Sequence, residues 1–169
     1  MTSPPAEESD ARARIVPFED HHAGDFKRLN LEWLEGHGLL EPGDLVYLDA
    51  PRTSIFDRGG RILIAEWGGA VVGTCALVPR GEGVVELLKL AVDGSARGRG
   101  IGRRLMDEAL AEARRMGATS VTLVSSSRLA IALRLYEAVG FRHVPPPREV
   151  EYATADVFME LRLGPGPPR

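Results

Sequence analysis

One glycine- and arginine-rich segment joins an apolar run to a strongly patterned helical stretch, and its sequence is Arg97-Gly98-Arg99-Gly100-Ile101-Gly102-Arg103-Arg104. Glycine adopts positive φ and lets the backbone approach a ligand closely. The start of a helix presents unpaired N–H groups that favour an anion. Arginines at that end oppose the helix dipole, so four of them within eight residues indicate a bound polyanion such as a pyrophosphate. The segment therefore predicts a strand, an anion-binding loop and a helix, in that order.

The hydrophobic pattern changes at this segment from a period of two to a helical period. Before it, three alternating runs joined by glycine turns predict an antiparallel meander. After it, a helix leads to another strand, and a crossover of this kind makes the two flanking strands parallel. The predicted strands cover residues 14–18, 61–66, 71–78, 84–92, 120–124, 141–144 and 157–163, and the predicted helical regions cover 25–34, 45–57, 101–116 and 129–138. This order predicts an α/β (α+β) fold, a mixed sheet of about six to seven strands with helices on both faces.

Length and composition limit the classes of protein that the chain can belong to. Its 169 residues predict one domain, assigned to residues 13–163, with disordered tails at 1–12 and 164–169. A net charge of −3 argues against a nucleic-acid-binding protein. No apolar run approaches the roughly 18 residues of a membrane span, so we expect no membrane partner and a cytoplasmic location. Cys75, the single cysteine, is expected to be buried and unreactive.

Two common nucleotide-binding loops do not fit the glycine-rich segment. A P-loop ends in Gly-Lys-Ser/Thr, and this segment has no lysine. A dinucleotide fingerprint needs a glycine at the sixth position, where counting from Gly98 gives Arg103. It also needs an acidic residue at the end of the next strand, and Val124-Ser125 offers none. Both classes are excluded.

The spacing that remains is Arg97-x-x-Gly100-x-Gly102, preceded by Leu90-Ala91-Val92. It resembles the acetyl-CoA pyrophosphate loop, R/Q-x-x-G-x-G/A, of the GCN5-related N-acetyltransferases (GNAT). The segment Leu135–Phe141, Leu-Tyr-Glu-Ala-Val-Gly-Phe, is similar to the L-Y-x-x-x-G-F motif of the same family. The resemblance implies a GNAT fold with a splayed pair of parallel strands and acetyl-CoA as the acyl donor.

Acyl transfer from a thioester to an amine requires removal of a proton from the amine and protonation of the leaving thiolate. Glu86 is the candidate base, since an acidic side chain inside an apolar strand indicates a cleft. The resemblance implies a strand acid acting through water, and the alternative is a carboxylate that faces solvent or pairs with an arginine. The resemblance makes Tyr136 the candidate acid, placed to present its phenol to the CoA sulfur. The alternative for Tyr136 is a core tyrosine beside Phe141.

The resemblance also implies the residues that bind the two substrates. In the family the strand carrying Leu90 and Val92 bulges, which frees backbone groups for pantetheine and for the thioester oxygen. The predicted cofactor-binding residues are Leu90, Ala91, Val92, Arg97, Gly98, Arg99, Gly100, Ile101, Gly102, Arg103 and Ser127. The candidate acceptor-pocket residues are Asn30, Trp33 and Tyr152, and Trp33 has a core position as its alternative.

These inferences predict an acetyl-CoA-dependent N-acetyltransferase that acetylates a primary amine, on a small molecule or a peptide, by direct attack in a ternary complex. The alternative is a non-catalytic module of the same fold that senses CoA thioesters or binds a partner protein. The reaction needs no metal, and the adjacent pair His21-His22 is expected to be solvated. The resemblance allows a homodimer.

Overall fold

The computed structural model describes residues 12–165. Apart from their innermost residues, the predicted tails at 1–12 and 164–169 lie outside the described part. The strands are β1 Arg14–Pro17, β2 Arg61–Trp67, β3 Ala70–Gly81, β4 Val84–Val92, β5 Ser120–Ser125, β6 Arg142–His143 and β7 Val157–Arg162. The helices are α1 Ala23–Gly36, α2 Pro42–Asp49, α3 Pro51–Ser54, α4 Ile101–Arg115 and α5 Ala130–Val139.

The strands form one seven-stranded sheet in the order β1-β2-β3-β4-β5-β7-β6. Neighbouring strands are antiparallel except β4 and β5, which are parallel. The predicted mixed sheet, meander and parallel crossover are therefore confirmed. No helix among residues 12–165 combines the length and the apolar character needed to cross a membrane.

Alternation along β2 divides the core into two layers, one on each face of the sheet. Ile62 and Ile64 point to the face covered by α1 and α2, where they pack with Phe26. Leu63 and Ala65 point to the other face, against the apolar side of α4. Side chains thus alternate between the two faces of the strand, and the apolar sides of the helices cover the apolar side chains on each face. Helices on both faces, as predicted, position α4 and α1 on opposite sides of β4.

The parallel pair separates partway along its length. β4 and β5 are paired only from Val84 to Glu86, although β4 continues to Val92. A bulge in β4 lies just beyond the last pair, where Lys89 and Leu90 oppose the single residue Cys75 of β3. The bulge and the splayed parallel pair agree with what the family resemblance implies. The main-chain edge of β4 that would face β5 is therefore available to a ligand.

Three elements differ from the sequence-based prediction. The second helical region is two helices, since Pro51 lacks an N–H and begins α3 instead of continuing α2. The predicted strand 141–144 is reduced to Arg142 and His143, because the proline run that follows cannot donate hydrogen bonds to β7. β3 is longer than expected and ends at Gly81.

The expected solvation of the histidine pair is wrong for one member. His22 is buried, its Nδ1 lies 2.9 Å from the Glu19 backbone nitrogen, and its Nε2 lies 2.9 Å from Glu66 Oε1. Since Nδ1 accepts a hydrogen from a backbone N–H, Nε2 carries the ring hydrogen and donates it to the carboxylate. Both ring nitrogens are engaged, and His22 ties the start of α1 to β2.

Candidate active site

A cleft with a cavity volume of about 130 Å³ opens where β4 and β5 separate, below α1 and α2. Its walls bring together both predicted catalytic residues and all three predicted acceptor residues, together with Leu90. These are Glu86, Tyr136, Asn30, Trp33, Tyr152 and Leu90. The sheet thus gathers residues from α1, β4, α5 and the loop before β7 at one point. Such a concave site with convergent polar groups is the usual form of a small-molecule site.

The bulge in β4 is held by a chain of buried hydrogen bonds. Lys89 has a φ of +55°, a conformation that costs a non-glycine residue about 1–3 kcal/mol. Its carbonyl accepts a 2.9 Å hydrogen bond from the Thr74 hydroxyl, and that hydroxyl accepts one of 3.0 Å from Asn30 Nδ2. Asn30 also donates to the Phe26 carbonyl at 2.8 Å. The amide hydrogens of Asn30 are therefore used inside the core, where they support the bulge.

Glu86 lies in the cleft and forms an ion pair with an arginine that the motifs did not indicate. Arg80 Nε and Nη2 lie 2.7 and 2.6 Å from Glu86 Oε2, and Nη2 also donates to the Tyr47 hydroxyl at 3.0 Å. Burial acts to lower the pKa of Arg80, but the Tyr47 hydrogen bond and the charge of Glu86 outweigh it and raise the pKa. Both contacts fall on one carboxylate oxygen, so the other oxygen is left for a substrate or a water.

Tyr136 combines a core position with access to the cleft. Its ring packs edge-on against Phe141 with 6.2 Å between centroids, and the residue also lines the cleft. Burial, with a smaller contribution from Cys75, raises the pKa of the phenol. The hydroxyl is therefore protonated at neutral pH. A proton donor at the junction of β4, β5 and α5 is the geometry that a departing thiolate requires.

The glycine-rich segment starts α4 in the way an anion site requires. Gly98 and Gly100 both have φ of +76°, and Gly100 is the N-terminal cap of the helix. No side chain among residues 12–165 caps this end, and the first turn contains no acidic residue. The N–H groups and the dipole at the start of α4 are therefore not neutralised by the described part of the chain.

Four arginines lie around the start of α4, and each contacts a different part of the fold. The Arg97 guanidinium lies 4.9 Å from the centroid of Trp33, and its Nε donates to the Val92 carbonyl at 3.3 Å. Arg99 lies 4.3 Å from the Trp67 ring centroid. Arg103 pairs with Asp107, and Arg104, outside the predicted cofactor set, donates to the Ala13 carbonyl. Arg97 thus lies between the helix start and the cleft.

Some predicted cofactor contacts are limited to the backbone or are already engaged. The side chains of Ala91 and Ile101 are buried in the core, which leaves only their main-chain groups for a ligand. Gly102 faces Leu135 and Val92, and a Cβ there would lie 3.5 Å from Leu135 Cδ2. The Ser127 amide and hydroxyl both donate to Asp156, at 2.7 and 2.6 Å. Ser127 therefore orders the loop after β5, and its hydroxyl hydrogen is not free for a cofactor.

The part of the cleft near the candidate acceptor residue Tyr152 contains a buried ion pair that the motifs did not indicate. Lys89 and Asp44 pair with each other, and their side chains are only 7% and 5% exposed. The Lys89 ammonium lies 5.5 and 5.6 Å from the ring centroids of Tyr47 and Tyr152. The Tyr152 hydroxyl is buried without a partner in the described part of the chain, and burial is the main cause of the raised pKa of its phenol. A lysine within an apolar strand was the available sequence signal.

The first turn of α2 ties this ion pair to the loop that carries Tyr152. Glu41 accepts hydrogen bonds from the Ala153 and Thr154 amides and from the Thr154 hydroxyl, at 2.9, 3.1 and 2.6 Å. These bonds, led by that of the hydroxyl, lower the pKa of Glu41. Gly43 allows close packing here, since a Cβ on it would lie 3.3 Å from Tyr152 Cε1. Asp44 Oδ2 in turn accepts a 2.8 Å hydrogen bond from the Glu41 amide, which fixes the Asp44 side chain at the start of α2.

A split parallel pair, a bulged strand and an uncapped helix start around one cleft define an acetyltransferase fold of the CoA-dependent class. The chain belongs to the acetyltransferase (GNAT) family, whose model matches residues 25–141. The predicted family and fold are therefore confirmed.

Individual relatives agree with this assignment. N-acetyltransferase 8 of Rattus norvegicus is 34% identical over 99 residues, which make up 56% of this chain and 45% of that protein. The chain thus spans about half the length of the curated relatives it matches. A GNAT-family acetyltransferase from Staphylococcus aureus has the same fold, with a TM-score of 0.81 and 18% identity over 89% of this chain and 99% of that one.

A second solved structure concerns the cofactor. YncA from Salmonella typhimurium, determined with its cofactor acetyl-CoA, matches with a TM-score of 0.68 and 22% identity. The match covers 94% of this chain and 98% of that chain. At this level of identity the likeness shows a shared fold.

Proposed function

We propose that this chain transfers an acetyl group from acetyl-CoA to a primary amine, with both substrates bound at once. The observation that carries the proposal is the cleft itself. Glu86 and Tyr136 both line it, at the point where β4 leaves β5 and next to the Lys89–Leu90 bulge. The glycine-rich loop that starts α4 provides an anion site for the pyrophosphate.

In this proposal each residue acts on a defined atom. The amine nitrogen attacks the thioester carbonyl carbon, and the main chain at Leu90 donates to the oxygen that becomes negative. The carbon–sulfur bond then breaks, and the Tyr136 phenol protonates the departing sulfur. Before the attack, the ammonium ion gives one proton, through a water, to the Glu86 carboxylate oxygen that Arg80 leaves free; after the carbon–sulfur bond breaks, the nitrogen gives its second proton to the Tyr136 phenolate. The products are an acetamide and free CoA.

The test of this proposal compares Tyr136→Phe with the unchanged protein. Free CoA is measured with a thiol reagent, to which the fully buried Cys75 contributes little. Acetyl-CoA binding is measured by calorimetry, and a panel of primary amines, amino acids and peptides supplies the acceptor. We expect turnover to fall on the order of 100-fold while acetyl-CoA affinity stays within about twofold, since the phenyl ring keeps the packing against Phe141. If turnover and acetyl-CoA affinity fell by the same factor, Tyr136 would have a structural role and would not be the proton donor.

One observation favours the second function, a CoA-thioester sensor. The Glu86–Arg80 ion pair is the contact that a purely structural acid would make. A sensor would bind acetyl-CoA at the same loop and acetylate none of the amines. Tight acetyl-CoA binding with no CoA release above the rate without protein would establish the sensor. Amine-dependent release would exclude it.

A further inference from the structure

A second cavity, of about 360 Å³, adjoins the cleft at Glu86. We call it the side groove. On one side of it are the paired strands β5 and β7, and on the other side is the loop of residues 144–151. Glu86, Leu123 and Val124 line both the side groove and the cleft. The two cavities are therefore neighbours, and Glu86 lies on the wall that they share.

The walls of the side groove are largely apolar. They include Val144, Pro145, Pro147, Val150 and Phe158. Six large apolar side chains are exposed in the described part of the chain, and two of them, Val124 at 38% and Val150 at 45%, line this groove. Apolar surface grouped in a concave site of this kind favours an apolar ligand group.

The charged residues that line the side groove favour a ligand that carries an ammonium ion. Glu86 and Arg80 neutralise one another, whereas Glu149 and Glu151 add two further carboxylates to the lining. A protonated amine is drawn toward such a rim. The apolar walls, in contrast, would strip water from hydroxyl groups without replacing their hydrogen bonds. The groove therefore disfavours amino sugars.

We propose that the acceptor is a primary amine with an extended apolar arm, and that the arm lies in the side groove while the amine lies beside Glu86. This proposal rests on the proposed acetyltransferase function, and it specifies the acceptor class for the same site. The occupant is one molecule, because the groove and the cleft meet at Glu86, Leu123 and Val124, which line both.

The test uses straight-chain amines from propylamine to octylamine, whose amine pKa values stay close to the lysine value of about 10.4. We expect kcat/KM to rise roughly fourfold per methylene until the groove is filled, the factor that corresponds to ~0.8 kcal/mol of apolar burial. Calorimetry of the same amines binding to the protein with CoA measures the affinity of the groove for each chain length in the absence of turnover. A matched amine with ether oxygens in its arm should not show the rise.

Paired variants locate the effect. Val150→Asn should lower octylamine kcat/KM and affinity by roughly fivefold and leave propylamine unchanged. Ile131→Asn, an exposed apolar position on α5 outside the groove, should change neither. Acetylation or binding that does not depend on chain length would overturn the groove proposal and leave the acetyltransferase function standing. Binding that tightens with chain length, without any turnover, would support the groove and overturn the acetyltransferase function.

Discussion

Glu86 illustrates how one residue can satisfy two interpretations at once. The sequence left open a catalytic acid and an acid paired with an arginine, and Glu86 lines the cleft while it also pairs with Arg80. Because both short contacts reach Oε2 alone, the ion pair fixes the orientation of the carboxylate without occupying its second oxygen. Arg80 is therefore a positioning residue for Glu86.

We expect Glu86→Gln to lower turnover on the order of 100-fold with little change in acetyl-CoA affinity or melting temperature. Glutamine keeps the shape and an oxygen that can still accept a hydrogen bond from Arg80, but it cannot take a proton from the amine. Steady-state kinetics and calorimetry on the same preparation provide the measurement. A fully active variant would identify Glu86 as a structural acid.

The sequence indicated the roles of residues that belong to a family motif. It did not indicate the roles of residues whose contact partner is far away in the chain. The glycine-rich segment and Tyr136 follow from short spacings in the chain. Asp44 meets Lys89 from 45 positions away, and no local pattern connects a helix start with a strand bulge. Ser127 was predicted as a cofactor contact because of its place in the loop, and its partner Asp156 could be found only from the fold.

At the level of elements, the sequence predicted the limits of strand β4 but not the bulge within it. Alternating hydrophobicity predicted its limits, Val84 and Val92, and the structure has the same limits. The bulge within it did not follow from the pattern, because lysine has no preference for positive φ. It depends on Thr74 in β3 and Asn30 in α1, two side chains that act only after the sheet and helix have packed.

Removing the hydroxyl that supports the bulge should damage both stability and catalysis. Thr74→Val keeps the shape of the side chain but leaves the Lys89 carbonyl and an Asn30 amide hydrogen without their buried partner. We expect a loss of about 1–3 kcal/mol in unfolding free energy and a larger loss of kcat than of acetyl-CoA affinity. Denaturant unfolding and kinetics measure the two effects.

Thr74→Ser is the matched control, since it keeps the hydroxyl. It should recover most of the activity even though it loses a methyl group. If Thr74→Val were as active as the unchanged protein, the bulge would not depend on this hydrogen-bond chain.

The two ends of α4 allow a direct test of the anion site. Arg97→Met should weaken acetyl-CoA binding by roughly tenfold and reduce its dependence on salt, because it removes a cation beside the uncapped helix start. Arg115→Met removes a cation from the last turn, where Arg115 pairs with Glu108 and Glu112, and should leave the affinity unchanged. Calorimetric titrations at two salt concentrations measure both. Equal effects would show that only the net charge of the protein matters.

For the molecule as a whole, burial of titratable groups sets its response to alkali. Burial raises the pKa of Cys75 to about 12, from an ordinary value of 9.0. Above pH 9 the unfolded chain therefore loses this proton while the folded chain keeps it, so stability is complete below pH 9 and falls as the pH rises toward 12. Tyr136 and Tyr152, whose pKa values are also raised, extend this loss above pH 10.

We expect the unfolding free energy to fall more steeply between pH 9 and 10 in the unchanged protein than in Cys75→Ala. One thiol contributes a slope of up to about 1.4 kcal/mol per pH unit, and alanine at this position contributes none. Denaturant unfolding at several pH values gives both slopes, so a constant loss from the smaller side chain does not affect the comparison. Identical slopes would mean that the Cys75 thiol ionises as readily in the folded protein as in the unfolded chain.

Under the proposed function a reactive thioester is bound close to the buried Lys89–Asp44 pair, and this has a chemical consequence. Lysine amines are the side chains that such thioesters modify without any catalyst, whereas a guanidinium stays protonated and does not react as a nucleophile. The chain has 21 basic residues, and only Lys27 and Lys89 are lysines. Lys89 is enclosed with its counter-ion, and Lys27 pairs with Asp49 at the surface. The lysines of this chain thus present very little that the proposed acetyl donor could modify.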